Sequence, residues 1–267
     1  MNNNKIINIG VAQYGFKDAQ VEENLDKGTK YLVQAAEEGM DLILLPEMFT
    51  TGFPLGKNMD DFAENIEDSN TMKHLSQQAK AHNISVVGSF AEWDKHLKKS
   101  FNTGFFISRE GILLSTYRKI QLFDKERNYV HPGRSLSVVE YDGIKYGILI
   151  CFDIEFPEPA RYLANAGAEV LLVVSNNMKP YGHIHRVFVQ ARAVENHMYV
   201  AYCNRTGTNE LFIYEGESCI VTPQGTVTHQ LGNQDEGLLT GTIDLQEVAD
   251  SKKIYNYLGE SATRFIP

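Results

Sequence analysis

The segment Gly147-Ile148-Leu149-Ile150-Cys151-Phe152-Asp153-Ile154-Glu155-Phe156-Pro157-Glu158-Pro159-Ala160-Arg161 passes from a continuous apolar run to a helix start, with one cysteine at the junction. A short unbroken apolar run is the pattern of a strand buried on both faces. Pro157 suits the first turn of a helix, where its missing N–H has no partner to lose. The backbone must therefore bend sharply at Cys151. Such a bend exposes the thiol and aims the next N–H, that of Phe152, toward a bound carbonyl oxygen. Read alone, the cysteine suits a nucleophile and a small buried apolar residue equally well.

Working outward, Asp142-Gly143 makes a hairpin turn between strands at 137–141 and 144–150. The helix opened by Pro157 runs to about 166 and stops at Gly167; strand 169–175, helix 183–196 and strand 198–204 follow. The chain opens in the same manner. Residues 6–13 read as a strand, and 21–38 carry Val21, Leu25, Leu32, Ala35 and Ala36 at a helical period that Gly39 stops. Asp41-Leu42-Ile43-Leu44-Leu45-Pro46 is then a buried strand closed by proline. A helix is expected over about 71–82, and strands over 84–91, 101–108 and 112–118, the last two a hairpin around Gly111. The last part is hairpin-rich, with turn signals at Glu215-Gly216 and Pro223-Gln224-Gly225 and a strand at 217–222. No linker, repeat or low-complexity tract interrupts the chain. The reading is one α/β domain over 1–267, with mixed sheets, helices outside and a C-terminal tail from about 246.

At 43% hydrophobic and 22% charged residues, the 267-residue chain has the makeup of a folded globular protein. Lys and Arg number 25 against 34 Asp and Glu, a net charge of −9, and the longest basic stretch, Lys95-His96-Leu97-Lys98-Lys99, reads as a solvated hairpin end. Nucleic acid is not an expected partner, because phosphate binding needs a positive face. No apolar run approaches the roughly 18 residues that span a bilayer. The start Met1-Asn2-Asn3-Asn4-Lys5 lacks the apolar region and cleavage site of a signal peptide, so a cytoplasmic location away from membranes is expected. Cys151, Cys203 and Cys219 form no disulfide framework there, and Cys203 and Cys219 sit within strands as core residues. The chain has no GxGxxG, no GxxxxGK followed by Ser or Thr, no HExxH and no GxSxG. His183 and His185 stand two apart on a helix and face different sides, so no metal site is expected.

Two more segments deliver a reactive residue to the end of a strand, where α/β sheets place their sites. Leu44-Leu45-Pro46-Glu47-Met48-Phe49 presents a carboxylate, and Tyr117-Arg118-Lys119-Ile120-Gln121-Leu122-Phe123 presents a cation among apolar neighbours. Each residue taken alone also reads as a surface charge.

In this order the three segments resemble the nitrilase superfamily of carbon–nitrogen hydrolases. The likeness is carried by Leu45-Pro46-Glu47, Tyr117-Arg118-Lys119-Ile120-Gln121-Leu122-Phe123 and the segment from Cys151 to Arg161. Phe101-Asn102-Thr103, Pro132-Gly133, Ala191-Arg192-Ala193-Val194-Glu195-Asn196 and Asn204-Arg205-Thr206-Gly207 add to it, over Ile6 to about Asp244. Tyr255-Asn256-Tyr257-Leu258-Gly259-Glu260 begins like the family's C-terminal segment and departs from it at Ser261-Ala262-Thr263-Arg264-Phe265.

The resemblance implies a four-layer αββα sandwich that pairs into an αββα–αββα homodimer, and a Glu-Lys-Cys triad. Cys151 would be the nucleophile, Glu47 the general base and then acid, and Lys119 the oxyanion stabiliser. Glu126, seven positions beyond Lys119, matches a fourth carboxylate that orients the substrate or the triad. Phe152 would contribute its backbone N–H, the loop holding Asn176 and Asn177 would line the acyl side, and Glu155 and Tyr181 are further pocket candidates. No metal or organic cofactor is implied. The trio is chemically coherent, since a thiol of ordinary pKa is only partly ionised at neutral pH and needs a base or cation to yield thiolate. The string from Cys151 to Glu158 with Arg161 looks most like the small-acyl amidases. N-carbamoyl amidohydrolases rank next, nitrilases third for want of their long insertions, and a non-enzymatic metabolite-binding relative last. The triad does not name the substrate.

Overall fold

In the computed structural model, which describes residues 5–53 and 59–261, the apolar strand runs of the sequence build two six-stranded sheets. The first half of the chain supplies β1 (Ile6–Gln13), α1 (Val21–Glu37), β2 (Leu42–Leu44), the short α2 (Met59–Phe62), α3 (Asn70–His82), β3 (Ser85–Asp94), β4 (Lys99–Ile107) and β5 (Leu113–Arg118). The second supplies β6 (Val138–Tyr141), β7 (Ile144–Ile150), α4 (Pro157–Asn165), β8 (Val170–Ser175), α5 (Gly182–Asn196) and β9 (Tyr199–Asn204). There follow β10 (Thr206–Thr208), β11 (Ile213–Glu215), β12 (Cys219–Val221), β13 (Val227–Gln230), β14 (Gly237–Asp244), α6 (Leu245–Ile254) and α7 (Tyr257–Glu260).

One sheet runs β14-β1-β2-β3-β4-β5 and the other β13-β12-β9-β8-β7-β6, each with three parallel strands at its centre and antiparallel neighbours outside. Ile9, Val11, Leu44, Val87 and Phe106 of the first sheet share a core with Ile148, Ile150, Leu172, Val174 and Ala201 of the second. The opposite face of the first sheet buries Ile43, Val86, Phe90 and Phe105 against Leu32 and Ala35 of α1 and Met72, Leu75 and Ala79 of α3. On the far side, Ala160 and Leu163 of α4 and Val189 and Ala193 of α5 cover the second sheet. The layers are therefore αββα, the sandwich that the resemblance implied. Strands buried on both faces explain why so many of them read as unbroken apolar runs.

Three local readings are adjusted. The buried stripe of α1 is Asn24, Gly28, Leu32 and Ala35, with Val21, Leu25 and Ala36 only partly covered. Asn24 belongs to it because its side chain donates to the carbonyls of Lys17 and Thr50, tying the helix start to the loop after Glu47. Glu215-Gly216 is no hairpin turn: β11 before it pairs with β10 in a separate ribbon, and β12 after it joins β9 and β13. The tail is folded over its described part. α6 buries Val248 and Ser251, and Tyr257 N–H donates to His197 Nε2 at 3.1 Å, whereas 262–267, with most of the departure from the family pattern, lie outside the described residues. The Lys95 to Lys99 stretch is the exposed β3–β4 hairpin end.

β7 and α4 meet at Gly147, where a Cβ would stand 2.8 Å from Leu163 Cδ1 and 3.3 Å from Leu163 Cβ. The helix thus lies flush on the strand that carries Cys151. Gly147→Ala is expected to lower stability by about 1–3 kcal/mol through overpacking, as read by urea unfolding; an unchanged midpoint would show that α4 is free to shift.

Candidate active site

Strand ends converge on the site. Glu47 follows β2, Lys119 follows β5, Cys151 follows β7, and Asn176 and Asn177 follow β8, so two carboxyl-terminal strand ends come from each sheet. Their side chains line one cavity with Phe53, Phe123, Phe152, Glu155, Met178, Tyr181 and His185. The bend expected at Cys151 is present: its φ is +47° in the turn Cys151–Glu155 between β7 and α4. A non-glycine residue held in the left-handed region is strained, and such strain persists only where the surroundings impose it. Asp153 imposes it here. Its carboxylate accepts from Ile150 N–H at 3.0 Å, from Gln121 N–H at 2.8 Å and from Tyr117 Oη at 2.8 Å, locking the cysteine turn to the segment that carries Lys119.

Lys119 lies between two carboxylates, with Nζ 2.9 Å from Glu47 Oε1 and 2.9 Å from Glu126 Oε2, and its side chain is 1% exposed. Alternation along β5 sends the preceding Arg118 the other way, onto Glu92, Asp94 and the Phe101 ring. Burial works against the charge of Lys119, but the carboxylates of Glu126 and Glu47 outweigh it and hold the ammonium protonated well above the ordinary lysine range. Burial pushes the Glu126 carboxyl up, and Lys119 opposes that shift. Glu126 also accepts from Phe123 N–H at 2.8 Å and does not line the cavity; it stands behind Lys119 while its chain neighbours Asp124 and Lys125 are exposed.

Glu47 is pinned through one oxygen only. Its Oε1 accepts from Lys119 and, at 2.7 Å, from Asn102 Nδ2, while the buried Oε2 has no hydrogen-bond partner among the described residues. Asn176 Nδ2 donates to the Glu47 carbonyl at 2.9 Å and fixes the backbone beneath it. Burial, then the nearby Glu47, push the Cys151 thiol well up, with Lys119 opposing, so the sulfur keeps its proton at neutral pH until a base takes it. Cys203 and Cys219 are buried inside strands away from this cavity.

All the sequence-derived pocket residues, Phe152, Glu155, Asn176, Asn177 and Tyr181, lie on the cavity wall. Three contributors carry no distinct signal of their own in the sequence. In the sequence Asn102 stands out only as part of the family likeness, yet the β4–β5 register, with Thr103 opposite Arg118, places it beside Lys119. Asp153 carried no separate signal. His185 is buried with Nδ1 2.9 Å from Tyr202 Oη and Nε2 3.2 Å from Glu155 Oε1, whereas His183 is exposed.

Comparison with known proteins points the same way. The family model described as carbon–nitrogen hydrolase matches residues 8–253. An (R)-stereoselective amidase of Pseudomonas sp is 34% identical over 251 residues, 94% of this chain and 89% of the relative. A 2-oxoglutaramate amidase of Bacillus subtilis is 33% identical over 248 residues, covering 92% and 93%. Among solved structures, an amidase from Nesterenkonia sp. superposes with a TM-score of 0.86 at 26% identity over 97% of both chains. A variant of that amidase carries the acetamide moiety of fluoroacetamide covalently at its active site cysteine.

Removing one partner of a buried ion pair leaves the other charge uncompensated. Glu126→Ala is therefore expected to destabilise the protein by about 3–5 kcal/mol in urea unfolding; a loss under about 1 kcal/mol, the range of exposed pairs, would contradict this account of Lys119.

Proposed function

Because the chain belongs to the carbon–nitrogen hydrolase family, we propose that it is a cysteine-dependent amidase that cleaves the C–N bond of a small amide and releases ammonia and a carboxylic acid. One observation carries this reading: Glu47, with one carboxylate oxygen free of partners, and the thiol of Cys151 line a single cavity with Lys119, whose ammonium is held between two carboxylates. It is the arrangement of a base, a nucleophile and a stabiliser of developing negative charge.

Glu47 Oε2 takes the Sγ proton, and the thiolate attacks the amide carbon. The charge passing to the carbonyl oxygen is met by the Lys119 ammonium and the Phe152 N–H. Protonated Glu47 gives its proton to the departing nitrogen, the C–N bond breaks, and ammonia leaves a thioester on Cys151. Glu47 then takes a proton from water, which attacks the thioester; collapse expels the carboxylic acid and returns the proton to sulfur. No step calls on a metal or an organic cofactor. Glu126 and Asn102 act on this sequence through Lys119 and Glu47, holding both in place.

The reading takes 1–267 as one catalytic domain acting on a small molecule, and as a homodimer in the cytoplasm. Among the described residues no helix is long and apolar enough to cross a membrane. The amidases among the relatives, one of them named for 2-oxoglutaramate, support amide hydrolysis, and carbamoyl and nitrile hydrolysis stand behind it in this reading.

Ammonia release from short aliphatic amides, N-carbamoyl compounds and matching nitriles tests this, with Cys151→Ala as the blank. Amides are expected to turn over and the blank to be silent; ammonia from nitriles alone, or an active Cys151→Ala enzyme, would refute the assignment. Lys119→Ala is expected to lower kcat by about 10²–10³-fold, the loss for one oxyanion donor. An unchanged kcat would remove Lys119 from the mechanism.

A further inference from the structure

Behind Cys151 lies a buried row of polar side chains that the reaction sequence above leaves unused. β7 and β8 run parallel with Ile150 opposite Val174, so Ser175 follows at the next position, alongside Cys151. Ser175 is fully buried, and a polar group withdrawn from water is costly unless its hydrogen bonds are made. Its Oγ accepts from Tyr202 Oη at 3.3 Å and from Asn177 N–H at 3.1 Å, a donor it shares with Asn204 Oδ1 at 2.8 Å. A serine hydroxyl has two acceptor sites and one proton. Both acceptor sites are taken, and among the described residues no hydrogen bond uses the proton.

The row is held from its far end. Tyr202 gives its one proton to Ser175, so its oxygen accepts from His185 Nδ1–H at 2.9 Å, and Nε2–H of the same ring donates to Glu155 Oε1 at 3.2 Å. Donation from both nitrogens is the pattern of an imidazolium, and Glu155 supplies its counter-charge. Arg192 in turn donates to the carbonyls of Ile154 at 3.0 Å and Glu155 at 2.9 Å, fixing the backbone beneath that carboxylate. Each link passes its hydrogen toward Ser175, and the serine proton is the free end of the row. The sulfur responds to it: against burial and the Glu47 carboxylate, which push the Cys151 thiol up, Lys119, the Ser175 side chain and the Asn176 N–H pull it down.

Resting on the reading of Cys151 as the nucleophile, we propose that the Ser175 hydroxyl donates a hydrogen bond to Cys151 Sγ when the sulfur is a thiolate, and that Tyr202 and His185 are positioning residues that hold the hydroxyl in that direction. No proton leaves Ser175: Glu47 Oε2 takes the Sγ proton, and the serine hydrogen stays on Oγ. The bond serves twice, as the thiolate forms before attack and again as the second tetrahedral intermediate collapses and expels sulfur.

The test is the rate at which iodoacetamide alkylates Cys151, mapped by peptide mass so that Cys203 and Cys219 are counted apart. Ser175→Ala is expected to slow alkylation of Cys151 by about threefold to tenfold: losing a hydrogen bond to a charged group cuts the thiolate population about tenfold or more, and the greater nucleophilicity of the more basic sulfur offsets part of that. A serine that only filled space would give the opposite sign, since alanine leaves the sulfur more open and its alkylation no slower. Tyr202→Phe, which drops only the hydroxyl, is expected to slow the reaction by a smaller factor and to add nothing in the Ser175→Ala protein, because its effect passes through the serine. An unchanged or faster rate in Ser175→Ala protein whose Cys203 and Cys219 stay unlabelled, or a Tyr202→Phe effect that persists undiminished in that protein, would overturn the inference. Where Ser175→Ala unfolds the chain and exposes Cys203 and Cys219, Tyr202→Phe decides alone: slower alkylation supports the inference and an unchanged rate overturns it. Alkylation needs no amide turnover, so failure here leaves the amidase reading standing, whereas that reading fails on ammonia release alone.

Discussion

A lysine ammonium buried between two carboxylates is the constraint around which the rest is arranged. Ionised groups removed from water are costly unless each finds its partner in good geometry. Lys119, Glu47 and Glu126 meet that demand at 2.9 Å each way, although Glu47 comes from a distant part of the chain. The geometry survives because each is anchored a second time: Glu47 by Asn102 and Asn176, Glu126 by the Phe123 N–H, and Lys119 through its backbone, which donates to Asn102 and accepts from Gly133. The Asp153 carboxylate extends the network to the cysteine turn, so Cys151 and the Lys119 ammonium are set in one frame.

This frame gives the two oxygens of Glu47 different work. One is spent on structure and the other is buried without a partner among the described residues, on a side chain that lines the same cavity as Cys151. An unsatisfied buried acceptor is expensive, and the proposed role as general base accounts for its retention here. The raised thiol of Cys151 fits the same logic, since a sulfur that keeps its proton until substrate arrives resists unwanted chemistry.

Much of this was legible in the sequence because local pattern and final geometry agree. β1 occupies the residues its apolar run marks, the Asp142-Gly143 turn joins β6 to β7, and Pro157 opens α4. The Glu, Lys and Cys positions could be picked out because each closes a strand, and in an α/β sandwich strand ends face the same crevice. What stayed hidden depends on contacts distant in the chain. β10 and β11 are three residues each, too short for an alternating pattern to register, and their pairing sends the chain past Glu215-Gly216 into another sheet. Glu126 sits in a polar run that by itself reads as surface; the family likeness singles it out, and the folded chain turns it inward against Lys119. His185 gave no sign of its tie to Glu155, because the pair lies across the α5 and Cys151 segments.

The central claim is that Cys151 carries the acyl group between two halves of a hydrolysis. It is tested most directly by acid-quenching the wild-type protein during turnover of a short aliphatic amide and mapping the added mass on its peptides. The account predicts one acyl group on the peptide bearing Cys151 and none on those bearing Cys203 or Cys219. Sustained ammonia release with Cys151 never acylated would contradict it.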